Sequence, residues 1–113
     1  VSDYPTVGAR GVARLANGTA RLLRSRGADM PAPRFRPGDL TILDGFIGAG
    51  YGFPTSEGAA ASVLLKESEA LRLDLTYTAK TVAALLAMIS QRAIESGPIL
   101  YWHTLDARDP GGK

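Results

Sequence analysis

The octet Leu73-Asp74-Leu75-Thr76-Tyr77-Thr78-Ala79-Lys80 runs directly into the apolar segment 81–94, and this junction constrains the fold more than any other stretch of the chain. Within 81–94, Val82, Leu85, Leu86, Ile89 and Ala93 recur at the spacing of one helical face. Gly97-Pro98 is the expected stop. Thr76 is the expected N-cap, because its hydroxyl can accept from a first-turn N–H that has no partner inside the helix. Tyr77 and Thr78 then fall in the first turn. There, free N–H groups and the positive end of the helix dipole favour anions or electron-rich ligands.

A chain of 113 residues, 45% of them hydrophobic, fits one small domain with a modest core. It has no cysteine, which excludes disulfides, thiolate metal sites and a cysteine nucleophile and fits a reducing cytoplasm. The longest apolar run, 82–89, is far short of the ~20 residues that cross a bilayer, so no membrane association is expected. No signal peptide is expected either. The net charge of +2 conceals an asymmetry. Arg10, Arg14, Arg21, Arg24, Arg26, Arg34 and Arg36 precede residue 38, against Asp3 and Asp29. Such a split could mark a nucleic-acid patch. However, Arg10, Arg14, Arg21 and Arg24 lie at helical spacing opposite an apolar stripe, which describes a solvated helix face.

Residues 1–8 read as an extended lead-in or a cut strand end. Over 9–26, Val12, Leu15, Ala16, Thr19, Leu22 and Leu23 describe an amphipathic helix ended by Gly27. Pro31, Pro33 and Pro37 make 27–38 a loop. The run 40–43 reads as a short strand, and 99–102 as a buried parallel strand. Thr55-Ser56-Glu57 opens a further helix with a capping hydroxyl and an early acid, and Ala60, Val63, Leu64 and Leu71 give it a buried side as far as about residue 70. The polar stretch 106–113 reads as a tail, flexible from 107. Helices alternating with short strands describe an α/β fold, with too little sheet to stand alone.

Gly48, Gly50 and Gly52 recur at every second residue, which does not match the dinucleotide-binding spacing. They permit close backbone approach to a ligand, with Tyr51 projecting from the turn. Tyr51, Tyr77, Thr78, His103 and Thr104 are the candidate site, because strand ends and helix starts line the ligand crevice of α/β folds. An unperturbed tyrosine, with a pKa of ~10, needs a cationic neighbour or cofactor to act as a base near neutral pH. His103 is the only histidine, which excludes a histidine-rich metal site, and it has no evident partner as a base.

Together with Gly48-Ala49-Gly50-Tyr51-Gly52-Phe53-Pro54-Thr55 and Tyr101-Trp102-His103-Thr104, the octet resembles the C-terminal part of a family. That family is the 1-aminocyclopropane-1-carboxylate deaminases and D-cysteine desulfhydrases, tryptophan-synthase-β-like enzymes that use pyridoxal 5'-phosphate. The resemblance implies an open, mostly parallel sheet flanked by helices, of which 1–113 would be one incomplete part. It implies that Tyr77 works at the carbon atoms of a small amino-acid substrate, with Tyr51 as the tyrosine of the glycine turn. It also implies that Thr78 faces the pyridine nitrogen of the cofactor and that Thr104 lies close to it. The deaminases have glutamate at the position of Thr78 and the desulfhydrases threonine. A neutral hydroxyl makes the ring a weaker electron sink, which suits β-elimination better than ring opening.

The chain departs from the family pattern at Leu75, Thr76 and Ala79, where proline, valine and glycine are usual, and at Leu105-Asp106, where two glycines are usual. Neither the lysine that forms the Schiff base nor the phosphate-binding glycine loop is matched. Of the three lysines, Lys80 matches a different family lysine, and Lys66 and Lys113 match none. The expectation is a segment supplying one wall of a deaminase or desulfhydrase site, completed by an upstream part of the same enzyme, with the intact protein a homo-oligomer. Two other readings remain: a non-catalytic relative whose pocket is closed by Leu105-Asp106, and a small basic module that binds nucleic acid through its arginines.

Overall fold

The computed structural model describes residues 8–104. The lead-in up to residue 7, Leu105-Asp106 and the tail lie outside them. The chain divides into two compact units, Val1–Ile42 and Leu43–Lys113.

The first unit is built on α1, Ala9–Ser25. Gly27, at φ 93°, closes it as expected. The Gly27 N–H reaches the Arg24 carbonyl at 3.0 Å and the Ala28 N–H reaches Leu23 at 3.0 Å, the paired bonds of a glycine-terminated helix. The buried positions of α1 are Ala13 and Ala20, whereas Leu15, Leu22 and Leu23 are exposed, so the apolar stripe read from periodicity is not the buried one. Arg10, Arg14, Arg21 and Arg24 are exposed, as a solvated face requires. The proline-containing loop is fastened to the helix by Asn17, whose side chain donates to the Phe35 carbonyl at 2.9 Å and accepts the Phe35 N–H at 2.8 Å. A 3-10 turn at Pro37–Asp39 follows.

The second unit packs α2, Ser56–Glu69, against α3, Thr78–Ser90. Thr55 caps α2 as its sequence predicts, with its hydroxyl accepting the Gly58 N–H at 3.0 Å. Thr55→Ala is expected to lower stability by ~1 kcal/mol, the usual worth of an N-cap hydroxyl, measurable as a lower urea midpoint. The buried side of α2 is Gly58 and Ala61 with part-buried Leu65 and Leu71, whereas Ala60, Val63 and Leu64 point outward. At Gly58 an added Cβ would stand 2.9 Å from the capping Thr55 Oγ1 and in ordinary contact with Ala79 at 3.6 Å, so a small residue suits that position. Ala61, Leu73, Ala79, Val82 and Ala83 form the core, with Phe46, Leu86 and Tyr101 packed on it. The buried stripe of α3 keeps Val82 and Leu86 of the expected face, begins about a turn earlier at Ala79 with Ala83 beside it, and leaves Ile89 half exposed.

Two expectations for α3 are corrected. The helix ends at Ser90, and the chain turns through Arg92 at φ 53°, well before Gly97-Pro98. Its start is capped by Asp74 and not by Thr76, whose own N–H is donated to the Asp74 carboxylate. The runs 40–43 and 99–102 form no ladder among the described residues. A strand needs a neighbouring strand to satisfy its backbone groups, and these two have none there.

Candidate functional site

Asp74 builds the start of α3. Its carboxylate accepts the N–H groups of Thr76 at 2.9 Å, Tyr77 at 2.7 Å and Thr78 at 2.9 Å, and the Thr78 hydroxyl at 2.5 Å. Its carbonyl accepts the Ala79 N–H at 2.9 Å. Partial burial pushes the Asp74 pKa up, but the bonds from the Thr78 hydroxyl and the three N–H groups outweigh it and hold the carboxyl below its ordinary value. One side chain thus satisfies donors that a helix start leaves open, and in doing so fixes where Tyr77 and Thr78 stand.

Tyr77 meets Tyr51 there. The two phenol oxygens are 2.6 Å apart, and the rings stand edge to face with centroids 5.7 Å apart at 63°. Both side chains are about half exposed, 54% for Tyr51 and 50% for Tyr77, so the pair lies open to a ligand. One hydroxyl donates and the other accepts.

Tyr51 is presented by a turn in which Gly48, Gly50 and Gly52 all have positive φ, at 73°, 140° and 79°. At Gly48 glycine is required twice over, since an added Cβ would also lie 2.5 Å from Thr55 Cγ2. The close approach that these glycines permit is made by this protein's own side chains. Besides Thr55 at Gly48, the Lys80 ammonium donates to the carbonyls of Ile47 at 2.8 Å and Gly50 at 3.1 Å.

Thr78 is buried, with its proton on the Asp74 carboxylate and one lone pair occupied by the Asp74 N–H at 2.9 Å. What remains is a single acceptor position. That fits a ring N–H of a pyridine cofactor and gives nothing to an unprotonated ring nitrogen. Thr104 is exposed. The same segment does approach the helix start through Tyr101, whose pKa is raised by burial first and then by the negative charge of Asp74. His103 has a partner after all, with Nδ1 3.3 Å from the Tyr101 hydroxyl. Lys66 is exposed on α2, and Lys80 is held by two carbonyls, so neither stands ready to carry a cofactor.

Of the residues that sequence reasoning named, the structure joins Tyr51 to Tyr77, and Thr78 follows Tyr77 in the chain with its hydroxyl on Asp74. Sequence reasoning missed Asp74 and Lys80. Asp74 carries a readable signal, an aspartate two to four residues ahead of a run of hydroxyl-bearing residues at a helix start. Lys80 carries a weaker one, a lone cation inside the stripe of small apolar residues on α3.

A D-cysteine desulfhydrase of Klebsiella pneumoniae (strain 342) is 43% identical to the chain over 67 residues, 58% of the chain and 20% of the relative. The chain is similar to D-cysteine desulfhydrases. The one from Yersinia enterocolitica (strain NCTC 13174 / 8081) is 42% identical over 69 residues, 60% of the chain and 21% of the relative. Another, from Klebsiella pneumoniae subsp. pneumoniae, is 39% identical over 67 residues. The chain spans about a fifth of the length of these relatives. No family model matches it. Among the described residues, no helix is long and apolar enough to cross a membrane.

Proposed function

We propose that this chain supplies one wall of the active site of a pyridoxal-phosphate-dependent enzyme that releases sulfide from D-cysteine or a closely similar small amino acid. The observation that carries the reading is the phenol pair, Tyr51 and Tyr77 at 2.6 Å, placed beside Thr78 at the capped start of α3.

When bound, the cofactor supplies an electron sink that stabilises negative charge on the substrate carbon next to the amino group. Thr78 would offer the ring nitrogen only its remaining lone pair, a neutral acceptor that holds a ring proton more weakly than a carboxylate would. Tyr77 takes or delivers a proton at a substrate carbon, and Tyr51, hydrogen-bonded to it, stabilises the charge that develops on the Tyr77 oxygen. The half-exposed pair is open to a substrate on one side, and the rest of the enclosure has to come from elsewhere. In this reading an upstream part of the same protein brings the cofactor-carrying lysine, the phosphate cradle and the strands that pair with 40–43 and 99–102. The exposure of Leu100 at 79% and Trp102 at 76% supports that assembly, since a strand run of this kind is ordinarily covered.

Threonine at position 78 favours the desulfhydrase over the deaminase reaction. The intact protein carrying this segment is therefore expected to release sulfide from D-cysteine and to release no ammonia from 1-aminocyclopropane-1-carboxylate. Ammonia from the cyclic substrate without sulfide from D-cysteine would reverse the assignment, and inactivity on both would favour the non-catalytic relative.

A further inference from the structure

We infer that Lys80 is the positioning residue of the phenol pair, a clamp that holds the glycine turn so that Tyr51 reaches Tyr77; the inference rests on the reading of those two tyrosines as the working site. Lys80 lies three residues after Tyr77 on α3, and its side chain is only 8% exposed. Its ammonium grips the carbonyls of Ile47 and Gly50, on either side of the turn that leads into Tyr51. The contacts close a ring: from Tyr77 along the helix to Lys80, across to Gly50, one residue on to Tyr51, and through the two phenols back to Tyr77.

The three glycines of the turn have positive φ and the widest backbone freedom of any residue, and the Phe53 N–H reaches the Gly50 carbonyl at 3.3 Å, a long bond. Tyr51 and Tyr77 are half exposed, so packing alone does not set their rings. Nor is Lys80 what holds the helices together, because that core is formed by Ala61, Leu73, Ala79, Val82 and Ala83. Burying an ammonium beside neutral carbonyls is costly, and an apolar side chain of the same length would serve stability as well or better. What the ammonium adds is a fixed position for the turn.

The chain has no cysteine, which allows a clean test. Lys80→Cys is alkylated in denaturant with 2-bromoethylamine, which rebuilds a lysine-length ammonium, or with 1-bromopropane, which builds an apolar side chain of equal length, and each product is refolded. Cross-peaks between the rings of Tyr51 and Tyr77 in labelled-tyrosine NMR report the pair, and the melting temperature and core methyl contacts report the fold. The aminoethyl adduct is expected to show the ring cross-peaks and the propyl adduct to lose them, with the propyl melting temperature equal or higher. Cross-peaks in both adducts, or in neither, overturn the inference. Loss of the core contacts in the propyl adduct overturns it too, because Lys80 would then support the unit as a whole. None of these readouts depends on turnover. A failure of the enzymatic reading, seen as full activity after loss of the Tyr77 hydroxyl, is therefore separable from a failure of the clamp.

Discussion

Tyr77→Phe in the intact protein is expected to lower turnover of D-cysteine by ~10²–10⁴-fold, the range that a positioned general acid or base ordinarily supplies. The substitution keeps the ring and its edge-to-face contact with Tyr51 and deletes one oxygen, so packing is largely preserved. What disappears is the atom 2.6 Å from the Tyr51 hydroxyl. Tyr51→Phe should cost less, because it removes a hydrogen bond to the reacting oxygen and leaves that oxygen in place. Substrate affinity should change little in either variant, with the loss appearing in kcat. Near-full turnover in Tyr77→Phe together with a large loss in Tyr51→Phe would exchange the two roles. Near-full turnover in both would remove the phenols from the chemistry.

Some helix ends are legible in the sequence because capping is local. Thr55 and the helix it begins, and Gly27 and the helix it ends, follow from chemistry within a few residues of each position. Which face of a helix is buried is a different matter. Periodicity marks the large apolar residues, but the contact between α2 and α3 is so close that Gly58, Ala61 and Ala79 make it, while Val63 and Leu64 face outward. A pattern weighted by hydrophobicity favours bulk, and close packing selects against it. The runs 40–43 and 99–102 have the composition of strands, yet they form no ladder among the described residues, because composition does not supply the neighbouring strand that a ladder needs. The same division holds at the site. Tyr51, Tyr77 and Thr78 are each readable as candidates, but the contact between residues 51 and 77, and the lysine that holds the turn, depend on how the glycine turn folds back on α3.

Asp74→Asn tests the other half of the site, the part that sets where Tyr77 and Thr78 stand. The asparagine oxygen can still accept the N–H groups of Thr76 and Tyr77, which Oδ1 of Asp74 accepts now. The amide nitrogen cannot accept from the Thr78 N–H and hydroxyl that Oδ2 now receives, so two donors would face a third. Removing the charged acceptor is expected to cost about 2 kcal/mol at pH 7, the upper end of what a helix cap contributes. Turnover should fall by ~10²-fold, because loosening the first turn misplaces the Tyr77 oxygen. The pH dependence gives an independent check. Asp74 has a lowered pKa in the fold, so its contribution is complete above the unfolded-chain value of ~3.9 and is lost as the pH falls through the lower, folded value. The stabilities of the native protein and Asp74→Asn, measured by urea unfolding, should therefore differ most near neutrality and converge as the carboxyl becomes protonated. A difference that persists unchanged at acid pH would mean that the shape of the Asp74 side chain matters and its charge does not.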